Sequence, residues 1–261
     1  MMNIERVPAS HGWLWITHGY RLIMRSPLHV LALALLGALG VYLAMLVPKV
    51  GALLAVVIMP LLLAGYMRVC RALEFHQKVE ISYLFQGFEQ RTPQLLALGG
   101  LLLAGMILIS IVITVIGGSA LTELLDGMRA GDDPNALLEA MLNAGSSVAL
   151  SLIIGLALLF LLMLAFQFAP MLVFFDQLAP FAALQTSLSA ILRNIIPFVL
   201  CSLILQGIAF IAALIPYDLG WMLMLPLGLT SMYVGYRDIF PTPVAMDASM
   251  QAHDAEQPPV E

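Results

Sequence analysis

The sequence predicts an all-α membrane protein, a polytopic bundle of six transmembrane helices with interfacial amphipathic helices. Three observations predict it. Only 10% of the 261 residues are charged and 61% are hydrophobic, where a soluble domain carries about 25% charged residues; so few charges would leave a soluble fold of this size without a polar surface. Six apolar runs are each long enough to cross a hydrocarbon core of about 30 Å, which takes about 20 helical residues. Lysine and arginine fall almost entirely on alternate connections between those runs.

The runs are Leu28 to Val47, Gly51 to Cys70, Leu95 to Gly117, Ser147 to Phe175, Pro197 to Ile215 and Leu219 to Tyr236. Pro48 and Lys49 break the first from the second, so these two form a hairpin with almost no loop. Pro216, Tyr217 and Asp218 make a similar tight turn between the fifth and sixth. Pro170 interrupts the long fourth run, and Pro60 and Pro226 fall inside the second and sixth. Helices must carry the spans, because a helix satisfies every backbone N–H and C=O within its own segment in lipid. The alternation of a transmembrane barrel is missing: a stretch such as LLFLLMLAF is apolar on every face.

Cationic residues set the expected orientation. Arg6, Arg21, Arg25, Arg68, Arg71, Lys78, Arg91, Arg193 and Arg237 fall on one side, against Lys49 and Arg129 on the other, nine to two. That bias places residues 1–27, 71–94 and 176–196 and the C-terminus in the cytoplasm. Residues 28–240 form the six-helix domain. The loop 118–146 is then external and acidic, and Asp133 and Pro134 open a short helix within it. Its apolar face rests on the external membrane surface or on the bundle, or the loop is simply solvated. Residues 241–261 carry four acidic and no basic side chains, which predicts a disordered tail.

Several classes are excluded by what is missing. The first 27 residues are too charged for a signal peptide, with Glu5, Arg6, Arg21 and Arg25 among them. Cys70 and Cys201 form neither a disulfide framework nor a zinc spacing. His11, His18, His29 and His76 lack a two-ligand helical pair, so no metal is expected. No basic patch suggests nucleic acid. No nucleophile–base set, paired carboxylates or phosphate loop is recognisable, which points away from an enzyme and from any cofactor.

The cytoplasmic segments before spans one, three and five look alike: GYRLIMRSPLHVLAL, GFEQRTPQLLAL and LSAILRNIIPFVLC. Each is an amphipathic stretch, then an arginine, then a proline opening the next span. Trp13, Ile16, Tyr20, Ile23 and Met24 recur at helical spacing opposite His11, His18, Arg21 and Arg25. Such a helix is expected to lie flat in the interface, with Arg25, Arg91 and Arg193 as anchors reaching lipid phosphates. The segments read either as one unit used three times or as a coincidence of loop composition.

Polar residues inside the spans are few. Gln167 and Gln206 both count to about 12–14 Å below the cytoplasmic helix ends at 1.5 Å per residue. They are expected to meet, either as interhelical glue or as a polar ligand site. Asp176 and Arg193 flank one cytoplasmic loop and are expected to form a local ion pair. Small residues at i, i+4, including Ala34/Ala38, Gly100/Ala104, Ser151/Gly155 and Ser231/Gly235, predict close helix packing.

The stretches GWLWITHGYRLIMRSP, FAPMLVFFDQLAPFAALQTSLSAILRN and MYVGYRDIF resemble an uncharacterised family of proteobacterial six-helix inner-membrane proteins. More distantly they are similar to the membrane domain attached to some glycerophosphodiester phosphodiesterases, although the phosphodiesterase barrel itself has no counterpart here. The resemblance covers the chain to about residue 240. It implies a bacterial inner-membrane location, multi-pass, and it transfers no activity and no functional residues. Two functional readings follow. One is a non-enzymatic membrane scaffold or envelope-associated component whose partners are the lipid bilayer, other membrane proteins or itself. The other is a transporter or channel for a lipid or other apolar small molecule.

Overall fold

The computed structural model describes residues 4–130, 145–214 and 219–241, and every regular element among them is an α-helix. In chain order these are α1 (His11–Arg25), α2 (Pro27–Met45), α3 (Gly51–Glu74), α4 (Ser82–Glu89), α5 (Thr92–Ala130), α6 (Gly145–Gln167), α7 (Ala169–Phe174), α8 (Pro180–Arg193), α9 (Ile195–Ala212) and α10 (Leu219–Ile239). Five stretches are long and apolar enough to cross a membrane: α2, α3, the Thr92–Ser119 part of α5, Ser146–Phe174 across α6 and α7, and α9. The sixth run does form a helix, α10. Gly220, Pro226, Gly228, Thr230 and Ser231 dilute its apolar character, and it does not join the other five.

The expected breaks are present, with adjusted positions. α6 ends at Gln167, and Pro170 sits in the first turn of α7, where its missing N–H costs no helical bond. Buried Ser187 bridges this break: its hydroxyl accepts from Phe168 N–H at 3.0 Å and donates to Leu164 C=O at 3.2 Å. The loop expected from Gly118 begins later. The chain breaks at Gly118, whose φ of 59° and ψ of -152° suit only glycine, and then continues as helix to Ala130. The short helix expected at Asp133 and Pro134, the Pro216–Asp218 turn and the tail beyond Pro241 lie outside the described residues.

The chain divides into two compact units. One comprises Met1–Ala38, Gly65–Leu84 and Ser189–Glu261, and the other Leu39–Ala64 and Phe85–Leu188. In the second unit α5 and α6 pack antiparallel. Gly105 faces Leu162, Gly155 faces Ile113, and Gly117 faces Ser151. Of the small residues predicted to lie at contacts, Ser151 and Gly155 do, whereas Gly100 faces open space.

In the first unit α1 departs from expectation. It runs lengthwise along α10, antiparallel to it, with Trp15 against Gly235 and Gly19 against Ser231, while Gly12 meets α9 at Pro197 and Cys201. The buried face is Gly12, Trp15, Ile16, Gly19 and Leu22. Of the face read from the sequence only Ile16 belongs to it; Trp13, Tyr20 and Met24 are exposed. The physical reason is glycine. A residue without a side chain lets two helix backbones approach closely, so the contact stripe follows the glycines rather than the bulkiest apolar residues.

Burial is uneven. Four of the five apolar stretches bury 22% or less of their most apolar window, and α9 only 11%, while α3 buries 56%. The exposed leucines, isoleucines and phenylalanines of the four would be a severe cost in water at about 25 cal/mol per Å², and cost nothing against lipid tails. The fold is that of an integral membrane protein.

Candidate functional site

The first unit gathers its charged side chains where α1 passes the last turns of α3 and α10. Glu74, the last residue of α3, accepts a hydrogen bond from Tyr233 O–H at 2.5 Å and lies 3.3 Å from Arg237 Nε. Arg25 closes α1 and donates through one guanidinium nitrogen to the carbonyls of Leu73, at 2.6 Å, and Glu74, at 2.9 Å. A cation on the last carbonyls of a helix stabilises its negative end. One turn further along α10, Asp238 accepts from Trp15 Nε1 at 2.7 Å and lies 2.7 Å from His11 Nδ1. These contacts fix α1 to α10 by charge as well as by close packing.

Asn194 supplies a second polar clamp. Almost fully buried, it accepts from Val7 N–H at 2.9 Å and donates to the carbonyls of Glu5, at 2.9 Å, and Ala190, at 3.0 Å. The segment before α1 is thereby tied to the end of α8.

Among the hollows that border α1, two lie on different flanks of it. The polar one, about 290 Å³, is lined by His18, Arg21, Arg25, Glu74, Tyr233 and Arg237. The apolar one, about 530 Å³, is a groove between α1, α2, α9 and α10, walled by Tyr20, Ile23, Met24, Leu28, Ile208, Ile211, Leu223, Met224 and Leu227 among others. Helical geometry explains the arrangement. At 3.6 residues per turn, α1 divides into three stripes: Gly12, Trp15, Ile16, Gly19 and Leu22 inward; His11, His18, Arg21 and Arg25 along one flank; Trp13, Tyr20 and Met24 along the other.

The residues singled out from sequence are divided between the two units. Gln167 is half-buried in the second unit, and Gln206 is exposed on α9 in the first. Asp176 belongs to the second unit and Arg193, which is exposed, to the first. Of the three anchors, Arg25 is engaged with protein carbonyls, Arg91 donates to Gln177 Oε1, and Arg193 projects from the end of α8. Glu74, Tyr233, Asp238 and Asn194 escaped the sequence reading, and Arg237 entered it only in the count of cations. The one available signal was Arg237, which directly follows the sixth apolar run. Among the described residues no three His, Cys, Asp or Glu side chains gather as metal ligands.

The chain is 28% identical over 260 residues to a probable inner membrane protein of Burkholderia thailandensis, covering 92% of this chain and 94% of that protein. No protein-family model matches the chain, so the likeness to the membrane domain of glycerophosphodiester phosphodiesterases has no such support. No solved structure matches it.

Proposed function

We propose that this chain is a non-enzymatic inner-membrane protein of six spans, with both termini in the cytoplasm, that holds a lipid or other apolar molecule in the groove flanking α1. The groove carries the reading. Its volume of about 530 Å³ falls in the range of about 300–1,000 Å³ usual for small-molecule pockets, and its walls are almost wholly aliphatic. A scaffold acting through packing alone has no use for such a groove. For orientation the support is the nine-to-two cation bias. For α10 as the sixth span it is a 21-residue helix following α9, and for a threefold unit it is the recurrence of a short amphipathic helix before α2, α5 and α9.

The test is lipid retention. Met24→Trp with Leu223→Trp places two indoles at exposed groove positions. The full-length protein, purified in mild detergent, is analysed by native mass spectrometry for bound lipid. Wild type is expected to retain lipid and the double variant to lose it. Equal retention by both, or none by either, removes the reading and returns the scaffold.

A further inference from the structure

We propose that the polar hollow on the other flank of α1 is an anion site that takes a phosphate group. The proposal does not rest on the groove being occupied. Four cationic or cationisable side chains face this hollow, His18, Arg21 and Arg25 from α1 and Arg237 from α10, against the single carboxylate of Glu74. That carboxylate is already engaged by Tyr233 and Arg237, so it does not neutralise the others. His18 and Arg21 have no hydrogen-bond or ion-pair partner among the described residues, although Arg21 sits one turn from Arg25 on the same stripe. Arg25 spends one guanidinium nitrogen on the carbonyls of α3 and keeps its remaining donors.

His18, Arg21 and Arg25 are exposed, so water screens their mutual repulsion, and an anion entering the hollow they share gains attraction from all of them at once. The guanidinium fork matches phosphate oxygens in geometry as well as charge. The hollow of about 290 Å³ equals the space of about ten waters at about 30 Å³ each, ample for a phosphate mono- or diester. Its position supports a phosphate in particular. Glu74 ends the apolar helix α3 and Arg237 lies in the last turn of α10, so the hollow is level with the ends of membrane-crossing helices, where lipid phosphates lie. A lipid headgroup and a free phosphate present the same chemistry, and the experiment separates them.

The full-length protein is prepared as wild type, as His18→Gln/Arg21→Gln and as Arg6→Gln, the last removing an exposed charge that does not line the hollow. Neither residue of the double variant holds the fold, so loss of binding is not loss of structure; equal thermal stability verifies this. One arm titrates inorganic phosphate into protein in a zwitterionic nanodisc. The other titrates short-chain phosphatidic acid into protein in neutral detergent. We expect saturable binding in at least one arm, weakened about tenfold in the double variant, as for the loss of one charge-assisted hydrogen bond, and unchanged in Arg6→Gln. Binding in the phosphatidic acid arm alone identifies a headgroup; binding in the phosphate arm identifies a soluble anion. Binding in neither arm, or equal weakening by Arg6→Gln, overturns the proposal.

Discussion

Replacing Gly12 by alanine tests the docking of α1 most directly. An added Cβ would lie 2.5 Å from the carbonyl oxygen of Pro197, 3.0 Å from Cys201 N and 3.1 Å from Leu200 Cβ. Carbon–oxygen contacts of about 3.3 Å are the shortest usual ones, so α1 and α9 must part by about 0.8 Å. The obstacle is backbone and has no rotamer in which to escape. Overpacking of this kind costs about 1–3 kcal/mol, and the gain in helix propensity returns about 0.5–1 kcal/mol. The net expectation is destabilisation of about 0–2.5 kcal/mol. Gly207 of α9 is the control, because a Cβ there meets nothing within 4 Å. Gly207→Ala is expected to stabilise by about 0.5–1 kcal/mol. Thermal unfolding of the detergent-purified protein should move the two midpoints in opposite directions, by about 2–4 °C per kcal/mol for a chain of this size. Maleimide labelling of Cys201, nearly buried beside Gly12, reports local undocking, and should rise about fivefold for each kcal/mol lost. If Gly12→Ala raises the midpoint as Gly207→Ala does, α1 is not packed along α9, and the arrangement of stripes described here is wrong.

Two further outcomes are expected. Asp238→Ala leaves Trp15 Nε1 without its acceptor at a half-buried site and should cost about 1–3 kcal/mol, whereas Asp238→Asn keeps an acceptor and should lose less; a thermal unfolding comparison in which both cost the same would assign the effect to His11 instead. Reporter fusions after residue 130 and after residue 240 should lie in opposite compartments, the second cytoplasmic, since an odd number of crossings separates them if α10 spans; a shared compartment contradicts the sixth span.

What was legible in the sequence follows from what the bilayer dictates. Its thickness sets helix length, so α2, α3, α5, α6 and α9 were visible as apolar runs before any packing was known. α10 was visible as well, but its contacts explain why it is the least apolar: Gly235 and Ser231 receive α1, and Arg237 and Asp238 pair with α3 and α1. A helix that faces protein along one side need not be uniformly greasy. The polar cluster was invisible because its partners are far apart in the chain. Glu74 meets Tyr233 across 159 residues, and His11 meets Asp238 across 227, and no local periodicity encodes either pairing.

The buried face of α1 is the more instructive difference, because its residues were read at the correct spacing. A two-faced division into apolar and basic residues predicts a helix floating on lipid. That division treats Gly12 and Gly19 as neutral, yet they are where the backbone comes closest to α9 and α10. Counting glycine as a contact residue splits the apolar face in two and leaves Trp13, Tyr20 and Met24 exposed as a separate stripe. The consequence is functional. A two-faced helix has one protein-free side, whereas α1 has two, one basic and one apolar, each bordering its own hollow. Docking by the glycine stripe is therefore what leaves Arg21 and Tyr20, adjacent in sequence, facing different environments.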